Sequence, residues 1–189
     1  MNISPTEAEE ALEAIQVVMQ KTRRYLSNSG AYAFLIVWGA IWLLGFSGSQ
    51  FLSPQMAGYT WMVLDILGGV ISMVIVLRMK KNVRSTNPVT TGTRIGSFWL
   101  LLFLFCGAAI WVSQPVDGRQ GAMLIILFVM LGWMAMSLLL SFASARWALG
   151  LTALALIGYF LLPGIFYAWM AVLGGGGMIA LGLTIRSSW

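Results

Sequence analysis

One carboxyl group stands inside a long apolar run of this sequence: Asp65, in the stretch YTWMVLDILGGVISMVIVLR from Tyr59 to Arg78. An ionisable side chain at the centre of a membrane span costs at least ~2.5–3.5 kcal/mol on insertion scales, so it calls for a partner or a task. Asp65 precedes Arg78 by thirteen residues, or ~20 Å along a helix rising ~1.5 Å per residue. No Lys or Arg lies at that depth in any apolar run. A carboxyl surrounded by hydrocarbon is cheaper as the neutral acid, which donates a hydrogen bond to a backbone carbonyl or to a hydroxyl such as Thr60, Thr152 or Tyr159. Two roles fit these residues: a polar contact that ties helices together, and a proton- or cation-coupled site.

Other chemistry is excluded by residue type. The chain has no His and one Cys, Cys106. That removes a His-based zinc site, imidazole ligation of haem and a His general base, and leaves no disulfide framework. No Lys stands in an apolar run, so neither a Schiff base nor a Lys base for a Ser or Cys nucleophile is available there. Intramembrane aspartyl chemistry needs two carboxyls sharing a proton. No Gly-rich loop ends in Gly-Lys-Ser or Gly-Lys-Thr, the pattern that cradles nucleotide phosphates. The expectation is a non-enzymatic protein with no cofactor and no metal.

The elements that must carry Asp65 follow from composition. Of 189 residues, 59% are hydrophobic and 9% charged, against about 25% charged in soluble domains. The fold class expected is all-α: a polytopic membrane protein with six transmembrane helices in three hairpins, plus an N-terminal amphipathic helix. The apolar runs lie at about 31–48, 57–77, 96–113, 121–142, 147–162 and 165–185, each close to the ~20 residues that cross ~30 Å of hydrocarbon. Ten of the eleven bases fall between alternate runs on one side, with Arg119 alone on the other. By the positive-inside rule both termini are cytoplasmic. The net charge of +5 is thereby a topology signal, and nucleic-acid binding is not expected.

Residues 1–28 form the first unit and 29–189 the membrane domain. Ser4, Pro5 and Glu7 compose a helix start with a capping box. Ala8, Leu12, Ile15, Met19, Thr22 and Leu26 recur at three- and four-residue spacing, giving one apolar stripe. Such a helix lies on the cytoplasmic membrane face, or docks a soluble partner or a second copy through residues 4–27. A second cytoplasmic feature is the basic stretch Met79–Ile95, where Arg78, Lys80, Lys81, Arg84 and Arg94 gather around an Asn87-Pro88 turn. It serves as a solvated connector or as a contact surface for a partner or anionic headgroups. Read with a separate ATPase bound there, the chain would be a permease-like subunit.

The second and sixth runs echo one another. Sliding by 108 residues superposes Trp61 on Trp169, Gly68 on Gly176, Gly69 on Gly177 and Arg78 on Arg186. Small residues four apart let helix backbones approach closely, so Gly68, Gly69 and the run Gly174, Gly175, Gly176 and Gly177 are expected to pack. Four consecutive glycines also weaken a helix, and an unwound sixth span would resemble the broken helices of transporters. Asp65 has no counterpart in the echo, since Leu173 takes its place.

The stretch ALEAIQVVMQKTRRYLSNSG leading into FLIVWGAIWLLG, then WMVLDILGGVISMVIVLRMKK and LIGYFLLPG, resembles a group of uncharacterised bacterial six-span proteins. The likeness is best over the first eighty or so residues. It implies a bacterial inner-membrane location and genes placed beside small winged-helix regulators. It implies no activity, cofactor or site residue.

Overall fold

In the computed structural model, residues 31–82, 88–140 and 145–187 are described, and the secondary structure among them is entirely helical. The expected N-terminal helix and Arg84 lie outside the described residues. The elements are α1 (Ala31–Phe51), α2 (Pro54–Asn82), α3 (Pro88–Ser113), α4 (Gly118–Leu140) and α5 (Ala145–Leu161). A composite closes the chain: a 3-10 turn (Pro163–Ile165), the short α6 (Phe166–Trp169), a π-helical segment (Met170–Gly176) and α7 (Gly177–Ser187).

Five of these stretches are long and apolar enough to cross a membrane: Tyr32–Phe51, Pro54–Arg78, Arg94–Ser113, Gly118–Leu138 and Pro163–Ser187. Arg146–Leu161 is apolar but shorter. All six coincide with the apolar runs expected from sequence. The connection at Met79–Ile95 is narrower than expected, because α2 continues to Asn82 and α3 begins at Pro88. Proline lacks the N–H that a first helical residue leaves unpaired anyway, so it starts a helix well.

Local chemistry sets the other ends. Ser53 Oγ accepts from the Met56 N–H at 3.4 Å, capping α2 ahead of Pro54. Gln114, at φ 47°, stops α3 in the left-handed region. Asp117 Oδ1 accepts from the Gln120 N–H at 2.6 Å while Gln120 Oε1 accepts from the Val116 N–H at 3.0 Å. Asp117 thus caps α4, while Gln120 reaches back to Val116, one residue further than the return bond of a capping box.

The helices are not arranged simply as three hairpins. α1 makes its most extensive contacts with the π segment and α7, at the opposite end of the chain, and α4 packs on α5. Around that centre α2 lies on α1 and α3 on α4. Only 6% of the apolar window of α2, and likewise of α3, is buried, compared with 33% for α1. The core joins Ile41, Trp42 and Phe46 of α1 with Ile126 and Met130 of α4, Ala155 of α5, and Phe166 and Met170.

Hairpin pairing survives as one repeated contact. Each hairpin places a tryptophan of one helix on a glycine of the other. A methyl at Gly45 would come within 2.7 Å of the Trp61 ring, one at Gly132 within 2.9 Å of Trp99, and one at Gly158 within 2.5 Å of Trp169. Trp61 Nε1 donates to Ser49 Oγ at 2.9 Å and Trp169 Nε1 to the Leu154 carbonyl at 2.8 Å. The echo between Trp61 and Trp169 is therefore structural as well as sequential.

Candidate functional site

Asp65 lies on α2, whose only extensive neighbour among the described residues is α1. Ala57, Trp61, Leu64, Gly68 and Ser72 turn toward α1 and are buried or half-buried, whereas Asp65 is exposed on the flank of that stripe. Among the described residues its carboxyl has no hydrogen-bond or ion-pair partner. Two of the three hydroxyls expected to meet it are bonded within their own helices, and Tyr159 makes its contact through the ring. Thr60 Oγ1 donates to the Met56 carbonyl at 2.9 Å and Thr152 Oγ1 to the Ala148 carbonyl at 2.7 Å, each within its own helix. Tyr159 holds the Arg119 guanidinium 5.2 Å from its ring centroid. Among the described residues no hydrogen bond joins Asp65 to Thr60, Thr152 or Tyr159. The physical reason is helical phase: Gly68 and Trp61 are the residues that fit α1, and Asp65 lies to one side of both.

The glycines divide by what faces them. A methyl at Gly68 would overlap Ile41 Cδ1, so α2 approaches α1 closely there. Gly175 sits on the backbone of α1, where an added Cβ would lie 2.5 Å from Leu43 N and 2.8 Å from Gly39 O. Gly174 faces Trp42, with 3.2 Å from such a Cβ to the indole. Among the described residues, a methyl at Gly69, Gly176 or Gly177 would meet nothing within 4 Å. The close-packing expectation therefore fails for those three, and the 108-residue register does not carry from Gly68 to Gly176. It was Gly175 that took the contact, because Gly39 on α1 supplies the complementary gap.

Nor is the glycine run unwound. Met170–Gly176 is π-helical, with Met170, Ala171, Gly174 and Gly175 buried. A π turn is wider than an α turn and occurs mainly at special sites. Here it sets the helix backbone against α1, where a Cβ at position 175 would collide.

Of the basic surface, Arg78 and Arg94 are exposed, and Lys80 and Lys81 fall on the last turn of α2. Arg186 is in the last turn of α7, where positive charge suits the helix dipole.

A polar cluster at the opposite end of the bundle escaped the sequence pattern. Gln50 reaches from α1 to the turn before α6. Its Nε2 donates to the Gly164 carbonyl at 3.2 Å and its Oε1 accepts from the Ala168 N–H at 3.2 Å. Arg119 lies on Tyr159 and 3.6 Å from Asp117. An aromatic ladder runs beneath, with Phe46 edge-on to Trp61 at 5.0 Å and Phe166 5.5 Å from Tyr167. The available signal was that Gln50 is the long polar side chain among the small and polar residues that end the first apolar run. The cluster can hold the helix ends together; it presents no nucleophile and base in contact.

The described residues hold no group of three or more His, Cys, Asp or Glu side chains that could bind a metal ion. Compared with known proteins, the chain matches no family model, no curated protein and no solved structure. The class that fold and composition define is an all-helical membrane protein.

Proposed function

We propose that this is a non-enzymatic bacterial inner-membrane protein of six spans, both termini cytoplasmic, that works by binding other proteins rather than by moving a solute through its interior. The observation that carries this is the placement of Asp65: the one carboxyl of the apolar runs faces outward from the bundle, where another helix can reach it. The bundle interior supports the same conclusion, since α1 and the π segment meet backbone to backbone at Gly39 and Gly175. Residues 4–27 and the bases around Arg78 and Arg94 supply a further contact surface at the cytoplasmic face. The resemblance to bacterial six-span proteins supports the location.

A second reading, a small proton- or cation-coupled transporter, draws on the π segment, because irregular helices near the midplane hold the sites of many transporters. Reconstitution of the full chain in liposomes separates the two. Binding as the function predicts no proton or cation flux that depends on Asp65, and an altered oligomeric state or partner set when residues 1–27 are removed. A flux abolished by Asp65→Asn overturns it.

A further inference from the structure

Resting on the reading that this protein acts by association, we infer that the Asp65 flank of α2 is the interface for a second copy of the same chain. Gly58, Met62, Asp65, Gly69, Ser72 and Val76 are spaced 4, 3, 4, 3 and 4 residues apart, the alternation of a left-handed helix-pair seam. Gly58, Met62, Asp65 and Gly69 are exposed, Val76 is half-buried, and Ser72 stands at the edge with its Oγ already buried. Gly58 and Gly69 have open space where a side chain would stand, so a second backbone can come close on either side of Asp65.

The chemistry of Asp65 selects the occupant. A protonated carboxyl both donates and accepts, so two of them satisfy each other without any base, and this chain has none within its apolar runs. Copies inserted with one topology lie parallel. A two-fold axis along the membrane normal then brings each Asp65 to the other at equal depth, because an isologous interface sets a residue on the axis opposite itself. Among the described residues, nothing covers α2 along most of its apolar length, which leaves the seam open to pairing.

The test uses the full chain in liposomes with Cys106→Ala and single cysteines on α2. Oxidative cross-linking is expected at Met62→Cys and Gly69→Cys but not at Val63→Cys or Val70→Cys, which are exposed on the far side of the helix. In dilution-dependent energy transfer between labelled copies, Asp65→Ala is expected to weaken the dimer about tenfold. Asp65→Asn retains it, because a carboxamide is also self-complementary. Gly69→Leu, whose position is open in the single chain, should weaken pairing without altering the unfolding of the protein. A chain that stays monomeric, cross-links equally from all four positions, or pairs as strongly after Asp65→Ala overturns the inference. A monomer that shows no flux, yet changes its bound partners when residues 1–27 are removed, leaves association standing and removes only the second copy.

Discussion

Replacing Gly175 with alanine tests the backbone contact on which the centre of the bundle rests. The new methyl would lie 2.5 Å from Leu43 N and 2.8 Å from both Gly39 O and Leu43 Cα, whereas ordinary contact begins near 3.4 Å. Relief requires a separation of 3.4 − 2.5 = 0.9 Å between α1 and the π segment. No flexible side-chain end is available to move instead, since the obstructing atoms are backbone. Over-packing of this kind costs about 1–3 kcal/mol. Alanine recovers about 0.5–1 kcal/mol through its smaller loss of backbone entropy, so the net destabilisation falls between about 0 and 2.5 kcal/mol, centred a little above 1. The internal control is Gly176→Ala, one residue on, where nothing lies within 4 Å; it should leave stability unchanged or raise it by up to about 1 kcal/mol. Nine tryptophans provide a fluorescence signal for equilibrium unfolding in mixed micelles with increasing denaturing detergent. Equal midpoints for the two variants would refute the claim that the α1 contact, and not glycine content, governs this segment.

Three further outcomes follow from the same geometry. Trp169→Phe removes the hydrogen bond to the Leu154 carbonyl and should lower stability by about 0.5–1.5 kcal/mol in that unfolding assay, while Gly158→Ala should do at least as much by crowding the indole. Gln50→Leu breaks one bond to the Gly164 carbonyl, in the turn before α6, and one from the Ala168 N–H within α6; hydrogen exchange of the Ala168 amide is expected to accelerate while amides in the middle of α4 keep their rates. Arg119→Gln loses the contact with Tyr159 at a cost of about 0.5–1 kcal/mol, detectable as an earlier unfolding midpoint, and a change in the folded-state spectrum beyond Tyr159 would contradict so local a role.

Helix content and helix positions were legible because hydrocarbon demands that every backbone polar group be paired within its own segment. Apolar length alone therefore marked the runs at α1 to α5 and Pro163–Ser187. The caps at Ser53 and Asp117 are equally local, although the structure was needed to show them. What the pattern could not carry was phase, the question of which side of each helix meets which neighbour. In soluble helices a polar face answers it, but these helices are apolar all round, so their sequences point nowhere.

The sequence by itself determined that the chain is an all-helical membrane protein with one carboxyl, Asp65, inside an apolar run, and that it has no His. Tertiary structure alone decided that α1 packs against the far end of the chain, that Gly175 and not Gly176 closes that contact, and that Asp65 faces outward. The cause is steric. Gly39 with Gly175, and Gly68 with Ile41, fit only in one rotational setting, and that setting carries Asp65 to the side of α2 where a second helix can reach it.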